Sequence, residues 1–391
     1  MDPQSDAPPG YEESQRGVPG GFVGDPDIMD TWATSSLTPQ IAGGWDHDPA
    51  LWAKVFPMDL RPQAHDIIRT WLFSTMVRSH LEEGSAPWHH AALSGWILDP
   101  DRKKMSKSKG NVVVPTDLLE RHGSDAVRYW AANGRPGTDT AFDETQMKVG
   151  RRLALKVLNA SRFVLGLGQR PDADGEADAP ETPRGPEAVT HAIDRAMLAE
   201  VAELIATVTD AFEEFDYARA LERTEEFFWR FTDGHLELVK TRAYRQDDGA
   251  ASARAALELA LSALLRLFAP HLPFATEEVW SWWMEGSVHR TGWPDPAEFG
   301  ATTARADDRL VALAAGVMHE VRRTKTEART GMRTPVRRLE ITVNADDAER
   351  LALVRDDLID AGVVKDLVVV VGDDDTELSV AATLDLDEPT G

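Results

Sequence analysis

Arg102-Lys103-Lys104-Met105-Ser106-Lys107-Ser108-Lys109-Gly110-Asn111 gathers five cations and two hydroxyls on one short stretch that runs into a glycine. It follows an apolar run, Ala91 to Leu98, whose composition predicts a strand. A strand feeding a mobile, cationic, hydroxyl-rich loop suits a polyphosphate that must be gripped and then released. Lysine ammonium groups act as point charges on phosphate oxygens. Stabilising charge as it develops is often the largest catalytic contribution. A basic run of this length also fits a solvated surface face or a targeting patch, and composition alone does not separate these uses.

Other residues invite chemistry less strongly. Asp66 follows a turn and opens a helical pattern, a position where Asp often caps. Ile67 and Trp71 are four apart, which on a helix puts them on one face, either lining a pocket or filling a core. Among His65, His89, His90 and His122, no pair shows the four-residue zinc spacing with an intervening Glu. They read as packing or loop histidines, and no metal site is expected.

The elements that position these residues come next. Residues 1 to about 140 read as mixed α/β. The short apolar runs Ala91–Leu98 and Val112–Val114 alternate with single helical patterns over Asp66–Glu83 and Thr116–Asn133, and Thr116 with Glu120 comes close to a capping arrangement. A helix is expected over Thr145–Leu167, then a Pro-, Gly- and acid-rich linker at Gly168–Glu187. Helical spacing recurs over His191–Phe215, Ala218–Arg245, Ser252–Phe268 and Phe274–Met284, predicting an antiparallel bundle broken at Pro270 and Pro273. Phe227, Phe228, Trp229, Trp280, Trp282 and Trp283 read mainly as its core. A helix near Asp307–Arg329, a segment at Leu339–Val343, a helix over Ala345–Asp360 and strands at Leu367–Val371 and Leu378–Val380 make a small α/β unit. The acidic end from Asp385 to Glu388 is expected to fray. The expected boundaries are 1–140, 141–303 with a linker at 168–189, and 304–391.

The chain has 391 residues, 42% hydrophobic and 28% charged, enough for two or three cores. No apolar run approaches the roughly 20 residues that span a bilayer, and Met1 to Gly24 lacks the order of a signal peptide. Cysteine is absent, which excludes disulfides and thiolate metal sites in these residues. A cytoplasmic location is expected. Net charge is −24, with 66 acidic against 42 basic residues, which argues against a whole-surface nucleic-acid binder. A local basic stripe is still allowed at Arg102–Lys109 and at Arg322–Arg338, where Arg322, Arg323, Lys325, Arg329, Arg333, Arg337 and Arg338 could meet RNA phosphate or another part of the protein.

The loop from Lys104 to Ser108, followed by Gly110-Asn111, resembles the second signature of the class I aminoacyl-tRNA synthetases. Supporting stretches are Asp27-Ile28-Met29-Asp30-Thr31-Trp32 with Ser35-Ser36, Arg61-Pro62-Gln63-Ala64-His65-Asp66-Ile67-Ile68-Arg69-Thr70-Trp71, and Gly123-Ser124-Asp125-Ala126-Val127-Arg128. Downstream, Lys156 to Phe163 and His271 to Glu278 are similar as well. Met29 to Trp32 and Asp66 to Trp71 favour the valyl branch over isoleucyl and leucyl relatives. The resemblance implies a fold class: the α/β second half of a Rossmann-type catalytic domain, then an all-α anticodon-binding bundle and a small C-terminal α/β unit. It also implies a reaction. ATP with Mg2+ and valine would give valyl-adenylate and pyrophosphate, and the valyl group would pass to tRNA(Val).

By the same resemblance Lys104 and Lys107 would act on the departing pyrophosphate, and Lys104, Met105, Ser106, Lys107 and Ser108 would bind ATP. Asp66 would hold the substrate ammonium, with Trp32, Ile67 and Trp71 walling the valine side chain. The first signature, His-x-Gly-His, occurs nowhere among the eleven histidines, and no editing insertion is recognisable. The chain therefore reads as a portion that needs its missing N-terminal half as partner and does not activate valine alone. The alternative is a non-catalytic tRNA-binding module.

Overall fold

The computed structural model describes residues 6–25, 30–106, 110–167 and 185–386. They form two compact units, residues 1–96 with 136–139, and residues 97–135 with 140–391.

The first unit carries three short helices, α1 (Thr31–Ser35), α2 (Thr38–Gly43) and α3 (Pro49–Val55), then β1 (Met58–Ala64), α4 (Phe73–Glu83) and β2 (Trp88–Ser94). β1 and β2 pair in parallel, from Met58 opposite Trp88 to Ala64 opposite Ser94. Parallel strands need a crossover, and α4 supplies it, giving one βαβ unit. The helix expected from Asp66 onward is not uniform. His65–Ile67 is a 3₁₀ turn and Ile68–Leu72 a π-helical turn before α4 proper begins.

The second unit opens with β3 (Ile97–Leu98), α5 (Pro115–His122), α6 (Ser124–Ala132) and β4 (Thr140–Ala141), with β3 and β4 parallel. The strand expected over Ala91–Leu98 is thus two strands. Val112–Val114 is not a strand; Val113 instead packs on a small core of Leu118, Ala126 and Met147. The single helix expected over Thr116–Asn133 is cut at Gly123, whose φ of 87° and ψ of 157° lie where only glycine is comfortable. Thr116 does not cap; Pro115 starts α5, its missing N–H costing nothing there.

The bundle follows: α7 (Glu144–Leu165), α8 (Ala192–Glu213), α9 (Tyr217–Arg230), α10 (Leu236–Ala243), α11 (Asp248–Phe268) and α12 (Pro273–Trp280). A π-helical turn at Phe231–His235 interrupts the helix expected over Ala218–Arg245. Most of the linker expected at Gly168–Glu187 lies outside the described residues; Pro186–Ala188 is a 3₁₀ turn.

α13 (Asp308–Glu327) leads to β5 (Val336–Val343), α14 (Ala345–Ala352), α15 (Arg355–Gly362), β6 (Leu367–Val371) and β7 (Ser379–Leu384). The helix expected over Ala345–Asp360 is therefore two, separated at Leu353-Val354. β5 lies centrally, parallel to β6 and antiparallel to β7. From Leu339 to Val343 its burial alternates with the period of two expected of a sheet with one covered face, after a register shift between Val336 and Arg338. Asp385 does not fray: its carboxylate takes Arg337 at 3.0 Å and Lys365 at 3.2 Å, and these cations hold it below the usual carboxylate range.

One hydrophobic cluster runs from Tyr129 and Leu153 through the bundle to Val336, Ile341 and Leu358. Phe227, Phe228 and Trp280 are buried in it, and Trp229, Trp282 and Trp283 pack against it half-buried, as the sequence suggests. Among the described residues no helix is long and apolar enough to cross a membrane.

Candidate functional site

The residues singled out fall into two groups, one in each unit. In the first unit, α1 starts where the Asp30 carboxylate accepts the Trp32 amide at 3.0 Å, and the Trp32 side chain is half-buried. Trp71 lies on the π-helical turn and is only 5% exposed. Its indole N–H donates to the Ser35 carbonyl at 2.9 Å, tying this turn to α1. The Arg61 guanidinium sits 3.7 Å from the Trp71 ring centroid, and Trp88 stacks on Trp71 at 5.5 Å and 10°. Desolvation lowers the Arg61 pKa, yet an arginine stays charged under such burial, so the contact is a cation–π pair.

Arg78 reinforces the junction, donating to Ser36 Oγ at 3.0 Å and to the Ala33 carbonyl at 3.3 Å. Asp66 is exposed, and no cap is formed by its side chain. Its carboxylate is thus presented to solvent. Ile67 is half-buried beside it. The 3₁₀-to-π change removes the simple i, i+4 relation expected between Ile67 and Trp71, because the turn is wound differently on either side of Ile67. His65 Nδ1 lies 3.2 Å from the Ser94 carbonyl and its ring meets Trp96 edge-on at 4.6 Å, a packing role.

In the second unit, β3 delivers the chain to the cationic loop. Leu98 pairs with Ala141 and makes an isolated antiparallel bridge with Lys104. Asp99, 7% exposed, sits at the base. It accepts the Lys103 amide at 2.8 Å and the Asn111 carboxamide at 2.8 Å, and these bonds pull its pKa down. Asn111 also accepts the Ser106 amide at 2.9 Å and donates to the Lys104 carbonyl at 3.3 Å. Lys104 is exposed; Met105 and Ser106 are half-buried. Lys107 and Ser108 lie outside the described residues. Asn111 stands in the motif, but its spacing gave no sign that it would reach back to Asp99.

Among the described residues no three His, Asp or Glu are grouped to hold a metal ion. His122 is taken up by Glu144 at 3.2 Å. Within the basic stretch Arg323 pairs with Glu320 at 2.6 Å, Arg338 with Glu340 at 3.1 Å, and Lys325 is buried.

Residues 13–143 match the family described as tRNA synthetases class I (I, L, M and V), and residues 194–342 match the anticodon-binding domain of tRNA ligase. These residues thus carry a class I tRNA synthetase segment followed by an anticodon-binding segment. Within that class its relatives include the valine--tRNA ligase of Thermobifida fusca (strain YX), 60% identical over 98% of this chain and 42% of that protein. The valine--tRNA ligase of Salinispora tropica is 55% identical over 98% of this chain and 45% of that protein. The chain thus spans less than half the length of the curated relatives it matches. A crystal structure of the ternary complex of Agrobacterium radiobacter K84 agnB2 LeuRS with tRNA and LeuAMS covers 71% of this chain and 35% of that chain, at a TM-score of 0.55 and 22% identity. At that identity the likeness concerns the fold alone.

Proposed function

We propose that this chain carries the leaving-group loop, part of the amino-acid site and the tRNA-binding bundle of a valine--tRNA ligase. In the first step a valine carboxylate oxygen attacks the α-phosphate of ATP, and the bond to the β-phosphate oxygen breaks. Valyl-adenylate and pyrophosphate result. In the second, a ribose hydroxyl of tRNA(Val) displaces AMP. The supporting observation is the exposed cationic loop at the end of β3, tied at its base, in a chain matched along 98% of its length to valine--tRNA ligases.

Lys104 and Lys107 take the developing charge of the departing pyrophosphate, with Met105, Ser106 and Ser108 completing the ATP contact. Asp66 meets the substrate ammonium, and Trp32, Ile67 and Trp71 face the valine side chain. Mg2+ would accompany the ATP phosphates, and no step is routed through it. The functional partition is 1–140 for catalysis, 141–303 for tRNA and 304–391 for the terminal unit, in a cytoplasmic enzyme.

His-x-Gly-His is absent from these 391 residues, and we propose that they do not activate valine without a complementary N-terminal half. ATP–pyrophosphate exchange tests both points. Purified 1–391 is expected at background. In a full-length ligase, Lys107→Ala should lower exchange by about 10²-fold or more, the scale of losing one charge-stabilising group. Exchange by 1–391 alone would overturn the dependence on a second half. An unchanged Lys107→Ala enzyme would overturn the role of the loop. Failure of 1–391 to bind tRNA(Val) in a gel shift would overturn the role of the bundle.

A further inference from the structure

Asn111 spends its whole carboxamide on the base of the cationic loop. Its Nδ2 donates to the Asp99 carboxylate at 2.8 Å and to the Lys104 carbonyl at 3.3 Å, while its Oδ1 accepts the Ser106 amide at 2.9 Å. This pattern fixes which atom is nitrogen and which oxygen, since two acceptors lie on one side and a donor on the other. Asp99 completes the arrangement by accepting the Lys103 amide at 2.8 Å. It is buried at the end of β3, which pairs with β4.

We propose that Asp99 and Asn111 are positioning residues that set the Lys103–Ser106 backbone in the shape that presents Lys104 to a diphosphate group. The proposal rests on the loop's assignment to pyrophosphate above. The Leu98–Lys104 bridge and the Asp99 amide to Lys103 carbonyl bond hold the loop's first residues, and the latch carries that hold past Lys104 against the mutual repulsion of Arg102, Lys103 and Lys104. The latch fixes two backbone sites within the signature, the Lys104 carbonyl and the Ser106 amide, to a group held by the sheet. Preorganised charge acts on an anion without paying for reorganisation when the anion arrives.

The pair can be exchanged. Asp99→Asn alone sets two amides facing each other, and Asn111→Asp alone sets two carboxylates together. In the double variant Asp99→Asn/Asn111→Asp, the amide at position 99 donates to the carboxylate at position 111. That carboxylate still accepts the Ser106 amide and net charge is unchanged, but the Lys104 carbonyl, which Asn111 Nδ2 meets at 3.3 Å, loses its donor. Asp99→Asn discriminates sharply. Removing a negative charge beside the loop should tighten anion binding if only charge matters, and should weaken it if the latch matters.

The test is calorimetric titration of the 391-residue chain with inorganic pyrophosphate, with circular dichroism to verify the fold of each variant. Each single variant is expected to bind about ten-fold more weakly, the scale of a lost hydrogen bond to a charged group. The double variant should recover part of the loss and bind more tightly than either single, since the Asp–Asn bond and the Ser106 amide bond are restored and the bond to the Lys104 carbonyl is not. Equal or tighter binding by Asp99→Asn, or a double variant as weak as the singles combined, would overturn the latch. Lys104→Ala separates the two levels. If the unchanged chain and Lys104→Ala bind alike, the loop's assignment fails. Trypsin cleavage after Lys103 and Lys104 without ligand then still decides the latch. Cleavage faster in both singles and slower again in the double supports it; equal rates in all variants refute it.

Discussion

The Asp125 carboxylate accepts the backbone amide of Ala275 at 2.7 Å, across 150 residues of sequence, and that of Phe274 at 3.1 Å. Asp125 belongs to the first turn of α6, and the two amides belong to the first turn of α12. The N-terminus of α12 has no side-chain cap of its own. Its orphan N–H groups are met from another helix instead, where a negative charge also suits the positive end of the helix dipole.

Asp125→Ala should therefore act as the loss of a helix cap, costing about 1–2 kcal/mol. Asp125→Asn, which keeps an acceptor, should cost less. Urea denaturation followed by circular dichroism measures both. Equal stability of Asp125→Ala and the unchanged chain would refute the capping role.

Arg242 bridges α8 and α15 from inside the core. It donates to Asp194 at 2.8 and 2.9 Å and to Asp357 at 2.9 Å, and also meets the Gly249 carbonyl. Arg242→Ala leaves two carboxylates buried without their cation, the situation in which breaking a buried pair costs about 3–5 kcal/mol. The expected result is a large fall in denaturation midpoint, with partial recovery in Arg242→Ala/Asp357→Asn. A loss below about 1 kcal/mol would show that the network contributes little.

Burial pushes the His235 imidazole down to about 4; nearby Asp194, 3.7 Å away, opposes the shift and Arg242 adds to it. His271 is likewise lowered to about 4, by burial first and then by Arg128. Both are neutral in the fold, while the unfolded chain takes up these protons near pH 6.5. Their contribution is complete above about pH 6.5 and is lost as pH falls toward 4, by about 1.4 kcal/mol per pH unit for each histidine. His235→Gln should flatten the stability–pH slope between pH 6.5 and 4.5 by about one proton. An unaltered slope would contradict the buried neutral ring.

Lys325 lies within the basic stretch yet is 2% exposed, its ammonium donating to the Met332 carbonyl at 2.8 Å and the Gly362 carbonyl at 2.9 Å. Burial lowers its pKa. Lys325→Met keeps the apolar stem but leaves two carbonyls unmet, for about 1–3 kcal/mol. Affinity for tRNA, read by gel shift well below the melting temperature, should not change. A weaker complex with unaltered stability would place Lys325 at the RNA after all.

Helical period carried much of the architecture in advance. The apolar spacing of Leu198, Val201, Leu204, Ile205 and Val208 belongs to a buried helix face, and these residues are buried. The loop signature located the cationic segment after a strand. Backbone irregularities were not legible, because they come from tertiary demands. Gly123 reads as a tolerable helix residue until its φ is known, and the π-helical turns at Ile68–Leu72 and Phe231–His235 leave no periodic mark in so few residues. Lys325 and Asp125 look like surface charges in a sequence, since their partners are distant carbonyls and amides of no particular residue type. Spacing alone leaves Trp71 as pocket wall or core, and its contacts with Arg61 and Trp88 are ones that either role would make.

The continuous apolar cluster from the bundle to β5 also governs how this polypeptide can be divided. The terminal sheet is wedded to the helices rather than hung from them. A cut at residue 303 would strip α13 from α8 and α15 from α10, and leave Arg242 without Asp357. Helices and sheet should accordingly melt in a single transition, and damage at either end should be felt throughout the second unit.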